Sequence, residues 1–238
     1  MAKPGPDQIR ALRTENPKAR ARDFAVQHGI SEADLVAAFV GQTATAIVAD
    51  PDRLMPWIGR LGEVMALTRN ESCVHERVGS YLDYRSGAFA AMILGPEIDL
   101  RIFAKHWVHA FAVEVPGEDG PKRSLQVFDA AGDAIHKIHL KPQSTHALWP
   151  DLIANMRLAD QSATLNLSSR RPVESAKGES AGAAALRAAW DRMTDTHQFI
   201  GLTRDHGMNR LGAYRVAGAP YVERLEPEAV THTLTRAA

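Results

Sequence analysis

The sequence predicts an α+β fold: a large antiparallel β-sheet flanked by helices. Three observations carry this. Capped helical patterns fill the first forty residues; short β-branched or alternating runs, parted by turn residues, fill residues 43 to 140; and a helical pattern closes that run.

The helices come first. "PDQIRALRTENP" opens and closes on proline. "KARARDFAVQHGI" ends at Gly29, a residue suited to a helix C-terminus, and "SEADLVAAFVG" begins on Ser31, a good N-cap, and runs to Gly41. The strand region opens with "TATAIVA". "PDRLMPWIGRLG" then reads as a helical turn or two broken by Pro56. "EVMALTRN", "SCVHERVGSYLDY", "AFAAMILGP", "IDLRIFAKHWVHAFAVEV" and "RSLQVFDAAGDAIHKIHL" follow as strands. Short separators such as "YRSG", "GPE" and "AAGD" predict an antiparallel meander. "HALWPDLIANMRLAD" is the closing helix.

The chain divides by composition. Residues 1–161 form the first lobe. Residues 162–182, "SATLNLSSRRPVESAKGESAG", are rich in small and polar residues and read as an exposed linker. Residues 183–238 are helical in pattern. "HGISEADLVAA" (28–38) and "HGMNRLGAYRVAG" (206–218) share His-Gly-apolar, a capping residue and a helix, which suggests an internal repeat. On that reading residues 183–238 are the helical start of a second, incomplete lobe.

Bulk properties exclude several classes. Lys+Arg and Asp+Glu both number 28, so there is no broad basic footprint for nucleic acid. The acidic start of "SEAD" would also repel phosphate if that helix entered a groove. Cys73 is the one cysteine, which rules out an internal disulfide and favours the cytoplasm. The longest apolar run, "AFAAMIL", is far short of the ~20 residues of a membrane span.

The candidate chemistry centres on histidine and arginine. The ten histidines include "HWVH" (106, 109) and "HKIH" (136, 139). Both lie in strand patterns, where positions i and i+3 point to opposite faces, so neither pair chelates one ion. There is no HExxH, no G-x-S-x-G elbow and no P-loop. Arg69, Glu71, His75 and Glu76 cluster in "LTRNESCVHERVGSY" without forming a nucleophile–base arrangement. In "MTDTHQFIGL", Asp195 and Gln198 have capping-box spacing, which places His197 in the first turn of a helix. That position favours neutral imidazole, the form that binds a transition metal or haem iron. The local residues leave two readings open, metal ligand or solvent-facing helix start. In "IDLRIF", alternation puts Ile98, Leu100 and Ile102 on one face and Asp99, Arg101 and Phe103 on the other. The second face either lines a groove for a flat anionic ligand or is a solvated Asp/Arg surface.

Four stretches in order, "MALTRNESCVHERVGSYLD", "GPEIDLRIFAKHW", "SLQVFDAAGDAIHKIHL" and "MTDTHQFIGL", resemble the haemin proteins of the HemS/HmuS/ChuS/PhuS family, and the resemblance runs to about residue 218. It implies two similar lobes, each a large antiparallel sheet with packed helices, holding haem b as ligand or substrate. It implies His197 as the iron ligand, with Arg101 facing the opposite side of the haem, often through water. Arg204 and Arg210, in "LTRDHGMNR", are candidates for the haem propionates.

The function so implied is that of a cytoplasmic haemin-binding protein of haem uptake and iron acquisition. It carries haem, degrades it oxidatively with release of iron, or does both; haem oxygenase-like activity is left open. The expected partners are haem and an inner-membrane haem importer or a haem oxygenase, with no nucleic acid. The alternatives are a pure carrier handing haem to a separate oxygenase, and a haem-free interaction module.

Overall fold

The computed structural model describes residues 3–70, 73–170 and 172–237, apart from the side chains of His197 and Ala237. Contacts divide the chain into two compact units, Met1–Arg170 and Arg171–Ala238.

The first unit starts with three helices, α1 (Pro6–Glu15), α2 (Ala21–Gln27) and α3 (Glu32–Ala37). Ser31 caps α3 as expected: its hydroxyl accepts the Asp34 N–H at 3.0 Å while the Asp34 carboxylate accepts the Ser31 N–H at 2.9 Å. After β1 (Ala44–Ile47), α4 (Pro51–Arg60) runs unbroken through Pro56, contrary to the expected break. The loss is one backbone hydrogen bond, and burial of Leu54, Met55 and Ile58 on the inner face of α4 holds the helix despite it.

The strands are β2 (Val64–Arg69), β3 (Val74–Gly79), β4 (Tyr84–Arg85), β5 (Ala91–Leu94), β6 (Asp99–Ile102), β7 (His109–Val115), β8 (Lys122–Phe128) and β9 (Ala134–Leu140). All pairs are antiparallel, but they do not form a single meander. A six-stranded sheet runs β1-β7-β8-β9-β2-β3, and β4-β5-β6 form a separate three-stranded sheet. The run expected as one strand, 98–115, breaks into β6, a 3-10 turn (Ala104–His106) and β7, which lie in different sheets. The break lets Ile102 and Trp107 both enter the same core. It also corrects the placement of "HWVH": His106 ends the turn and His109 starts β7.

The large sheet is covered on both faces. Ala110 and Ala112 of β7, Leu125 and Val127 of β8 and Ile138 of β9 meet α4, α5 (Trp149–Met156) and the apolar side of the small sheet. Phe111 and Phe128 point the other way, edge to face at 5.9 Å, against Ala33 and Ala37 of α3. Each large side chain buried in this way contributes about 1.5–3 kcal/mol. On the α3 side a buried Glu32 carboxylate accepts from Lys137 at 3.0 Å and pairs with Arg69 at 2.5 Å.

Residues 162–170, expected to open an exposed linker, hydrogen bond into the first unit. The Ser168 N–H donates to the Ala130 carbonyl at 2.7 Å, and Arg170 grips Asp133 through Nε and Nη2.

The second unit is helical: α6 (Ala183–Asp191), α7 (Phe199–Asp205), α8 (Arg210–Ala217) and α9 (Pro227–Ala237). Leu186, Phe199, Leu202, Met208, Ala213 and Ala217 form its core, with Trp190 edge-on to Phe199 at 4.7 Å. Asn209 caps α8 by accepting the Gly212 N–H at 2.9 Å, and its side chain also ties down Ser175 and Lys177. Gly212 makes that crossing possible, since a Cβ there would sit 1.7 Å from the Lys177 carbonyl oxygen. The repeated His-Gly stretches share a conformation. His28 and His206 end α2 and α7, Gly29 and Gly207 have φ of 63° and 64°, and Ser31 and Asn209 cap the next helix.

Candidate functional site

The first unit places Arg101 in the middle of β6, opposite Met92 of β5. The expected alternation holds: Ile98 and Ile102 are buried, while Asp99, Arg101 and Phe103 are exposed. The Asp99/Arg101 pair that the alternation allowed does not form. Among the described residues Arg101 makes no hydrogen bond and no ion pair. Arg101 lines a cavity of about 150 Å³ together with Thr68, Phe103, His106, Trp107, Ile135 and His136.

That cavity has a polar floor which the sequence did not disclose. His136 is fully buried. Its Nε2 lies 2.5 Å from the Tyr81 hydroxyl and its Nδ1 2.9 Å from Thr68 Oγ1, and Trp107 stacks on its ring at 6.3 Å. Burial, helped by the like charge of His139, pulls the imidazole down to about 4, so it is neutral at pH 7. Burial also pushes the Tyr81 phenol up, keeping it protonated. As one histidine among several in strand patterns, His136 carried no signal of this role; its partners lie 68 and 55 residues away in sequence.

The second unit places the backbone of His197 in a 3-10 turn, Thr196–Gln198, directly before α7. Its side chain lies outside the described residues, as does Glu71 of the β2–β3 connection. The expected capping box is displaced by one residue. Gln198 Oε1 accepts the Thr194 N–H at 3.0 Å and Gln198 Nε2 donates to Thr194 Oγ1 at 3.2 Å, so the Gln198 side chain closes a ring with Thr194, while the Gln198 N–H donates to the Asp195 carbonyl at 3.1 Å. Arg204 is exposed in the last turn of α7, with its Nε 3.5 Å from the neighbouring Asp205 carboxylate. Arg210 is the exposed first residue of α8.

Among the described residues no three His, Cys, Asp or Glu side chains gather as a metal cluster, and no helix is long and apolar enough to cross a membrane. The fold and the cavity define an α+β protein whose small sheet presents an unpaired cation beside an apolar pocket with a polar floor.

The comparisons with known proteins give the family. Residues 29–156 match the family model described as the haemin-degrading HemS.ChuX domain. The chain is 34% identical over 223 residues to the hemin transport protein HmuS of Yersinia pestis, covering 93% of this chain and 64% of that protein. It is 32% identical over 235 residues to the hemin transport protein HemS of Yersinia enterocolitica, covering 98% and 68%. It superposes on the crystal structure of holo-PhuS, a heme-binding protein from Pseudomonas aeruginosa, with a TM-score of 0.89 and 39% identity, covering 98% of this chain and 70% of that one. The chain belongs to the HemS/ChuX family. It spans 64% and 68% of the length of the two curated relatives.

Proposed function

We propose that this chain is a haem-binding protein of haem uptake and iron acquisition, acting in the cytoplasm. The observation that carries the reading is Arg101: an unpaired guanidinium beside an apolar, aromatic-walled cavity, on a fold shared with holo-PhuS over 98% of the chain. His197 is the iron ligand. The reciprocal Thr194–Gln198 hydrogen bonds fix the turn that carries it, so little backbone freedom is lost on ligation. Arg101 would donate hydrogen bonds at the bound haem, and the exposed guanidinium groups of Arg204 and Arg210 would meet its propionates. Haem supplies the iron and the flat apolar macrocycle, and the chain supplies orientation and charge.

Two fates of bound haem fit this site. The relatives' names, hemin transport proteins, favour carriage, which in our reading runs from an inner-membrane importer to an oxygenase, while the description of the matched domain favours degradation within the chain itself. A haemin titration followed by absorption, with His197→Ala alongside, tests the binding. The expected result is a saturable Soret band in the wild type that is lost or shifted in the variant. Equal weak bands in both reject it. Adding a reductant in air with catalase present then separates the fates: bleaching supports degradation, and a persistent band supports carriage.

A further inference from the structure

Tyr81, His136 and Thr68 form a hydrogen-bonded chain that ends at the cavity beside Arg101, and its direction follows from its buried end. Among the described residues the Tyr81 hydroxyl has one partner, His136 Nε2, at 2.5 Å. Were Nε2 to carry the ring proton, it would donate to the phenol oxygen, and the phenol hydrogen would be buried without an acceptor. Leaving such a donor unpaired disfavours that arrangement by roughly ten-fold or more. The satisfied arrangement has the Tyr81 hydroxyl donating to a bare Nε2. The ring proton is then on Nδ1, which donates to Thr68 Oγ1 at 2.9 Å. Thr68 is exposed, lines the cavity and has no other hydrogen-bond partner among the described residues. Because Nδ1–H donates to it, the Thr68 hydroxyl does not spend its own hydrogen on His136, and that O–H is available to donate into the cavity.

We propose that Thr68 is a second donor beside Arg101, and that the two side chains form a subsite for a compact, two- or three-atom ligand bearing lone pairs on the Arg101 side of the haem. The ligand class rests on the haem reading above. The size fits: about 150 Å³ holds a few atoms or a few waters, a water taking about 30 Å³. Phe103, Trp107 and Ile135 give the cavity apolar walls, with His106 as a further polar group at its lining.

Two measurements on the full chain test this. Long-range proton–nitrogen NMR of the haem-free protein reads the His136 tautomer, and the expected result is a neutral ring protonated on Nδ1. An Nε2-protonated ring overturns the donor assignment. Azide titration of the haem-loaded ferric protein reads the subsite. Thr68→Val is expected to weaken azide roughly five-fold with the haem Soret titration unchanged, and Thr68→Ser to retain wild-type affinity. Equal azide affinity in wild type and Thr68→Val overturns the subsite. A wild-type chain that takes up no haem overturns the haem reading and the ligand class with it, while the tautomer measurement still decides the direction of the chain.

Discussion

Lowering the pH from 7 to 5 should destabilise the first unit through His136. The imidazole is fully buried, with both nitrogens engaged by Thr68 and Tyr81, and burial holds it down to about 4 against an ordinary 6.5. A base whose folded value is depressed is held neutral by the fold. As pH falls below 6.5 the unfolded chain takes up a proton that the folded chain refuses, so stability is lost between 6.5 and about 4. Integrating the linkage with these two values gives a loss of about 2 kcal/mol between pH 7 and 5, approaching about 3 kcal/mol below pH 4. His109 and His139 are also held down by burial and add in the same direction. The assay is urea unfolding at both pH values, followed by tryptophan emission in a Trp190→Phe background, so that Trp57, Trp107 and Trp149 report on the first unit. His136→Gln cannot titrate. It starts less stable at pH 7, but its loss on acidification should be smaller than the wild-type loss by about 2 kcal/mol. Equal losses in the two proteins would refute the assignment of a buried, neutral His136.

Three further perturbations follow from the packing. Glu32→Gln strands Lys137 and Arg69 beside each other in a buried site and should cost about 3–5 kcal/mol in urea unfolding; Lys137→Met, which leaves the Glu32–Arg69 pair intact, should cost clearly less. Ser31→Ala removes the hydroxyl of the α3 capping box and should cost about 1 kcal/mol in the same assay, with no change in haem titration. Gly212→Ala drives a methyl into the Lys177 carbonyl, and limited proteolysis should then cut residues 172–178 at least several-fold faster than in the wild type. Unchanged cleavage would mean that this segment does not depend on its crossing over α8.

What the sequence disclosed follows the range of the interactions involved. Periodicity and caps are local. They located α1 to α3 and the alternation that buries Ile98 and Ile102 while exposing Arg101. The path of the sheet is not local. Turn residues identify which strands form hairpins, but β2 pairs with β9 across a long interval, and only burial on both faces decides that neighbour. The same limit hid the break at 103–108, where Ile102 and Trp107 gain more by entering one core than a continuous strand would give. The Gln198 side chain closes its ring with Thr194, one residue before the Asp195 that the capping-box spacing pointed to, and a 3-10 turn rather than an α-turn lies between them.

The candidate site shows where this limit falls on chemistry. Thr68 and Arg69 are adjacent in β2 and so point to opposite faces of the sheet, and His136 and Lys137 do the same in β9. Pairing β2 against β9 sorts the four side chains into two unlike sets. Arg69 and Lys137 share the Glu32 carboxylate on the α3 side, while Thr68 and His136 hydrogen bond on the side of Arg101 and Trp107. A slip of one residue in that pairing would bury an unpaired carboxylate on one face and break the Tyr81–His136–Thr68 chain on the other. The ion cluster therefore bears on the function without touching the cavity. It adds to the cost of the wrong register, and the right register is what puts a neutral, directed histidine under the arginine.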